Sequence, residues 1–505
     1  MSAPEVPDAA EGSFSASRER FESVLGFLRG ADATTLSHAE LEDHLDTDGR
    51  ALLRQLFSDH LQLRALREPR VEVVAADGTA RGRVEPGHTR VLTTVFGQVG
   101  VSRLAYRSPR QPNLHPADAA LNLPEERHSH GLRRLAAIES SRGSFHEAAQ
   151  AITRATGQQL GKRQTEQLAK RAAADFDTFY AQREPPPGDT DDVLVLTCDG
   201  KGIVMRPDAL RPATAAAAAA AAANPKLATR LSKGEKRNRK RMAEVGGVYD
   251  LTPSPRTPTD ILPANDEDRQ AATPAPAAVN KWLIASVVDD TATVISQVFA
   301  EADRRDPTHQ RDTIALVDGN THQIERIQAE AQARNINVPV IIDLIHVIEY
   351  IWKAARSFFD EGDRAAQAWV RDKATAVLNG QARQVAATIR GQATRAKLST
   401  TSRKGADSCA TYLTNKKAYM DYPTFLTQGW PIATGVIEGA CRYLVKDRMD
   451  ITGARWGLEG AETILKLRAL RINGNWDEYW NHHLAQEQQR VHQYRYANNV
   501  IPQAA

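Results

Sequence analysis

The sequence predicts an α/β protein whose sheet-forming region is flanked and interrupted by helices. Three observations predict it. Between residues 190 and 348 apolar strand-like runs alternate with helical periodicity. Two of those runs, "VLVLTCDG" and "TIALVDG", end in Asp-Gly, and residues 349 to 429 then read as helical throughout. At 505 residues the chain exceeds one ordinary core. Its 41% apolar and 25% charged content are those of a soluble globular protein. No apolar run reaches the roughly 18 residues of a membrane span, so no membrane partner is expected. The start, "MSAPEVPDAAEGSFS", is acidic and polar and lacks a signal-peptide pattern. Three scattered cysteines, Cys198, Cys409 and Cys441, offer neither a disulfide framework nor a Cys-x-x-Cys zinc site. An intracellular protein is expected.

Residues 1–68 form an N-terminal helical region, with Leu45, Leu52, Leu53, Leu56 and Leu63 at helical spacing. In 69–125, "TRVLTTVFGQVGVSRLAYRS" alternates as a β-hairpin turning at Gly97 and Gln98, and the Pro-rich "PRQPNLHPADAALNLPEE" follows as a connector. Residues 126–184 are helical again. Ser144 and Glu147 have capping-box spacing, Gly157 ends that helix, and Lys162, Arg163 and Gln164 open the next. Two short helices around such a turn fit a helix-turn-helix DNA reader, although any helical hairpin shares the pattern.

The region 190–348 carries strands up to Asp199, in "AEVGGVYDL", "KWLIASVV", "TIALVD" and "VPVIID", with a helix from about Gln323 to Arg334. It holds an insertion at 207–242, an alanine tract read as a surface insertion and then a basic run. From Lys226 to Arg241 that run has eight cations, Lys236, Arg237, Arg239, Lys240 and Arg241 among them, against Glu235 alone. It is either a solvated loop or a grip on phosphates. In 349–429 Trp352, Phe358, Phe359 and Trp369 are the expected buried anchors. Residues 430–480 return to the sheet-bearing region, and 481–505 form a tail.

A carboxylate at the tip of a strand is rigidly placed, and the glycine after it admits another group closely. Asp199 and Asp318 therefore invite a hard cation. Mg²⁺ takes oxygen ligands and keeps several waters, so a third carboxylate from a neighbouring helix suffices. Glu438 is the candidate, because Arg442 and Lys446 follow it at i+4 and i+8 as cations for a phosphate backbone; an exposed Glu–Arg pair is the alternative. Asp343 also ends an apolar run and competes with Asp318.

"LTCDGKG", "ALVDGN", "IIDLIHVIEYIWKAA" and "TGVIEGACRYLVKDRMDITGARW" resemble bacterial insertion-sequence transposases of the ISKra type, relatives of the Mutator-like DDE transposases. The likeness runs from near Arg90 to near His483. It implies a ribonuclease-H-like catalytic domain with a helical insertion at 349–429, preceded by the helical, hairpin and helix-turn-helix-like regions. By motif, Asp199, Asp318 and Glu438 become the catalytic acids holding two Mg²⁺ ions, with Mn²⁺ as a substitute. Mutator-like relatives carry an Asp-x-x-His element, matched by Asp343 and His346, for which a base or phosphate contact and a plain core role both stand. Arg448, Arg455 and Trp456 join the expected DNA contacts, with a core place the alternative for Trp456. The expected partners are double-stranded DNA, as terminal inverted repeats and target, and further copies of the chain, in a bacterial cytoplasm beside the nucleoid. A ribonuclease-H-like nuclease that only hydrolyses, or a DNA-binding protein that has lost catalysis, are the other readings.

Overall fold

A computed structural model describes residues 12–185, 188–223, 239–433, 435–451 and 453–503. Lys236 and Arg237 lie outside them. The chain divides into two compact units, Met1–Gln182 with Asn475–Ala505, and Arg183–Gly474. Among the described residues no helix is long and apolar enough to cross a membrane.

The first unit opens with helices Ser15–Arg29 and His38–Leu66, the latter started by a capping box between Ser37 and Glu40. A hairpin of β1 (Arg83–Thr94) and β2 (Gly97–Arg107) follows. Its turn is Val95-Phe96, since Thr94 pairs with Gly97, two residues earlier than expected. Gly97 instead starts the return strand, where its φ of +132° favours glycine. Helices His130–Arg142, Phe145–Thr156 and Lys162–Ala172 close on Leu132, Ala136, Ile152, Leu160 and Leu168. The Ser144–Glu147 capping box forms, and Gly157 ends its helix at φ +70°. The C-terminal residues belong to this core: helix Trp476–Glu487 carries the buried Tyr479 and His483, and Tyr496 packs with Val73, Ala75 and Tyr106.

The second unit is mixed α/β. Its sheet has five strands: β3 (Val193–Val204), β4 (Lys240–Leu251), β5 (Ala278–Ser286), β6 (Thr313–Val317) and β7 (Val340–Ile342). Their order is β5-β4-β3-β6-β7. The β3–β4 and β4–β5 pairs are antiparallel, whereas β3–β6 and β6–β7 are parallel. The parallel strands are apolar on both faces, as covered strands must be. Helix Thr291–Arg305 lies so close that a Cβ on Gly246 would stand 2.6 Å from Val298 Cγ2. Helix Leu458–Ile472 is tied to β5 by Asn473, which accepts from Leu283 N–H at 2.9 Å and donates to its carbonyl at 3.0 Å.

The alanine tract is a helix, Pro212–Ala223, in keeping with alanine's helix propensity. The helical stretch after β7 comprises Leu344–Ala355, Arg364–Leu378, Ala382–Arg395, Lys404–Lys416 and Tyr422–Thr427. Its buried residues are small and aliphatic, among them Val370, Val377, Leu378, Ile389 and Leu413. Trp352, Phe358, Phe359 and Trp369 are only half-buried, so they are not its anchors. Phe358 and Phe359 flank Trp369, whose indole N–H donates to Gln392 at 3.0 Å.

Candidate active site

Strand register brings two of the expected acids level. Thr197 of β3 pairs with Leu316 of β6, so two further residues along each parallel strand reach Asp199 and Asp318. Neighbouring strands lie about 4.8 Å apart. Val317 pairs with Ile342, which brings Asp343 level with Asp318, and Asp343 N–H donates to Val317 O at 2.8 Å. Asp318 and Asp343 thus directly follow the last residues of β6 and β7, whereas Asp199, expected at a strand end, lies level with them inside β3, which stays paired with β4 as far as Val204.

Their commitments differ. Asp199 is half-buried, with Oδ1 accepting from Gly200 N–H at 2.6 Å and Oδ2 from the Cys441 thiol at 3.2 Å. Asp318 is half-buried and accepts from Asn320 N–H at 2.8 Å. Gly319 follows at φ +95°, and a Cβ there would meet the Tyr412 hydroxyl at 3.0 Å. That hydroxyl donates to the Asp318 carbonyl at 3.0 Å, linking helix Lys404–Lys416 to the strand tip. Asp343 is 1% exposed and caps helix Leu344–Ala355, accepting from Ile345 N–H at 2.6 Å.

Glu438 lies in helix Gly435–Ala440 with an exposed side chain. Its pKa is raised, first by partial burial and then by the Asp343, Glu349 and Asp199 carboxylates, with His346 opposing. Glu438 therefore stands in the field of Asp343 and Asp199. The helix widens into a π-turn at Cys441–Lys446 before Asp447–Met449. Arg468 answers the altered carbonyls, donating to Leu444 O at 2.7 Å and to Tyr443 O. The π-turn also breaks the simple i, i+4, i+8 register from Glu438 to Arg442 and Lys446, although both cations are exposed.

Several residues come into the site with little sequence signal. Cys441 follows Glu438 at i+3, one face of a helix, and burial together with Asp199 pushes its thiol pKa up. Tyr412 stacks on Tyr350 at 3.9 Å, and the Lys353 ammonium lies 4.2 Å from the Tyr350 ring. Nothing local marks Tyr350 and Tyr412 as neighbours.

The expected DNA contacts divide. Lys162, Arg163 and Gln164 are exposed on the first turn of their helix, where Gln164 also accepts from Gly161 N–H at 2.9 Å. Lys240 and Arg455 are exposed and Arg239 is partly so. Arg241 donates to the Val287 carbonyl at 2.5 Å and so braces a loop. Arg448 and Trp456 require correction, being 3% and 6% exposed. The Arg448 guanidinium lies 4.7 Å from the Trp456 ring, and the indole N–H donates to Met449 O at 3.0 Å. The pair is a buried cation–π contact, which leaves no face of either for a base.

Among the described residues no group of three or more His, Cys, Asp or Glu side chains is arranged to hold a metal ion as it stands. The donor set is nevertheless hard oxygen from Asp199, Asp318 and Glu438, the chemistry that suits Mg²⁺ with retained waters. Like-charge crowding at Glu438 is also what a bound cation would relieve. Comparison of the chain with family models and with curated proteins returns no match.

Proposed function

We propose that the chain is a DNA transposase of the DDE type, acting on terminal inverted repeats through a ribonuclease-H-like domain in its second unit. The observation that carries this reading is the level placement of Asp199, within β3, and Asp318, at the end of the neighbouring parallel strand β6, with Glu438 in the field of Asp199. The strand order and directions, two antiparallel strands on one side of β3 and two parallel ones on the other, favour a ribonuclease-H-like sheet.

The three acids would hold Mg²⁺, which when bound activates an attacking oxygen and stabilises the leaving oxygen of a phosphodiester. The chain's own residues set the rest. Gly200 and Cys441 fix the rotation of the Asp199 carboxylate, and Asn320 fixes that of Asp318. Arg442 and Lys446, exposed on the turn that continues the Glu438 helix, and the exposed Arg455 supply charge for a phosphate backbone. The exposed turn at Lys162–Gln164 is the reader of the repeat ends. Binding two ends calls for more than one copy of the chain.

The test is Mg²⁺-dependent cleavage and joining of terminal-repeat DNA by the full chain. Asp199→Asn and Asp318→Asn, each verified as folded by circular dichroism, are expected to lose about 10²-fold or more in both steps. Cleavage at the native rate by either variant overturns the site. Cutting without strand joining would assign a hydrolytic nuclease instead, and DNA binding without cleavage under any divalent metal a non-catalytic binder.

A further inference from the structure

Helix His38–Leu66 packs two of its faces and leaves a third to solvent. Toward helix Ser15–Arg29, Asp59 Oδ2 accepts from the Ser17 hydroxyl at 2.5 Å, and His44 stacks on Phe27 at 3.7 Å. Toward the hairpin, Phe57 and Leu61 pack on Leu92, Val99 and Val101, and the Arg54 stem lies against Gly97. On the remaining face Leu45, Leu52, Leu56 and Leu63 fall within about 40° of one another around the helix. Leu45 is 41% and Leu56 39% exposed, Leu52 and Leu63 are half-buried, and Phe21 on the neighbouring helix is 48% exposed. An apolar stripe of this length on a helical hairpin needs a cover. The residues before it in the chain, Met1–Glu11, offer only Met1 and Val6 as large apolar side chains.

We propose that the cover is a second copy of this chain, with the two His38–Leu66 helices pairing antiparallel about a two-fold axis near Arg54. The stripe is palindromic about that point. Leu45 falls opposite Leu63 of the other copy, Leu52 opposite Leu56, and Asp48 opposite His60. Charge selects the same arrangement. Residues 40–48 carry Glu40, Glu42, Asp43, Asp46 and Asp48, of which Asp46 is paired with Arg50, whereas beyond Arg54 the helix end carries Arg64 and Arg67, its Asp59 being buried against Ser17. Antiparallel pairing sets each acidic half beside the other copy's basic half, and parallel pairing sets like against like. A two-fold contact buries the same patch on both copies and closes the assembly. The two hairpins together make a four-helix bundle. This inference does not depend on the catalytic reading, because its readout needs neither DNA nor metal.

Light scattering and sedimentation of the full chain across a concentration series test it. The native chain is expected at twice the monomer mass. Leu52→Glu combined with Leu56→Glu, at positions that do not sit in a packed core, is expected to weaken association at least about 100-fold with an unchanged circular dichroism spectrum. Glu42→Lys/Asp43→Lys/Asp48→Lys and Arg64→Glu/Arg67→Glu chains are expected to associate poorly alone and to pair when mixed. Under mild oxidation a Leu52→Cys chain is expected to crosslink to a Leu56→Cys chain more than to itself. A native chain that stays monomeric overturns the proposal. So does a dimer untouched by the leucine changes, or preferential Leu52→Cys self-crosslinking, which would mark parallel helices or another surface.

Discussion

Asp175 is buried among cations in the first unit. Arg490 donates to both of its oxygens at 2.6 and 2.8 Å, and His483 Nδ1 donates at 2.6 Å. Arg133 in turn donates to His483 Nε2 at 3.0 Å, which fixes the ring as the neutral Nδ1–H tautomer. Burial alone would raise the Asp175 pKa, but the hydrogen bonds from Arg490 and His483 outweigh it and hold the carboxyl well below its usual range. Such a group adds stability above its unfolded pKa of about 3.9, and that stability is lost as pH falls through the lowered folded value. Asp175→Asn is therefore expected to cost about 3–5 kcal/mol at pH 7, the cost of unpairing a buried ion. The gap to the native chain should narrow below about pH 4, as read by urea unfolding; a gap independent of pH would refute the charge account. No sequence signal announces this cluster, because its two halves, Arg133 with Asp175 and His483 with Arg490, lie more than 300 positions apart. Asp318 is legible for the opposite reason, since its apolar run does end in Asp-Gly, whereas β3 runs on past Asp199 to Val204, so the Asp-Gly there marks no strand end. The placing of Trp456 on a DNA surface fails for a physical reason too: its sequence neighbour Arg455 is exposed, but the cation that lies against its ring is the buried Arg448.

At the scale of elements, the helix carrying Glu438 is the one whose irregularity matters most. Its π-turn, Cys441–Lys446, leaves carbonyls that the regular ladder would satisfy, and Arg468 from helix Leu458–Ile472 reaches two of them. Burial lowers the Arg468 pKa. Arg468→Met keeps most of the stem and removes the donors, so it is expected to destabilise the second unit by about 1–3 kcal/mol. Because Cys441 opens the same turn, its thiol should also become more reactive toward a thiol reagent. Unchanged stability together with unchanged thiol protection would show that Arg468 does not hold the turn. The capping box at Ser144 and the Gly157 stop were legible because each is a local pattern with one geometry. The π-turn was not, since an extra residue in a helical turn leaves the apolar periodicity almost intact. The hairpin turn was displaced because Gly97 reads as a turn residue but serves the first position of a strand.

For the whole molecule, the return of Asn475–Ala505 to the first unit was not legible in the sequence, since it rests on contacts such as Tyr496 with Val73 and Tyr106. Between pH 7 and 5 the two units also carry opposite proton linkage, because the second unit's lowered carboxyls, Asp260, Asp290 and Glu330, bind their protons mainly below that window. In the first, burial is the largest influence on His115, His128, His130 and His492 and lowers each pKa, that of His130 to about 4. A histidine kept neutral in the folded state adds stability above its unfolded pKa of about 6.5, and loses it as pH falls toward the folded value. In the second, burial raises the pKa of Glu244, Glu438 and Glu462. Those groups bind protons more readily folded than unfolded, so they add stability as pH falls toward the ordinary glutamate value of 4.5. Within the first unit Glu68 acts the same way, one carboxyl against four imidazoles. Acidification from pH 7 to 5 in the presence of a chelator is therefore expected to lower the first unit's melting transition while the second holds or rises. Calorimetry on the full chain, with Asp175→Asn marking the first unit's transition, measures both. His130→Gln, which keeps a donor near the Asn122 carbonyl that Nε2 meets at 2.9 Å, should reduce the acid shift of the first transition and leave the second unmoved. Parallel movement of both transitions with pH would show that their stabilities are not set by these buried imidazoles and carboxyls.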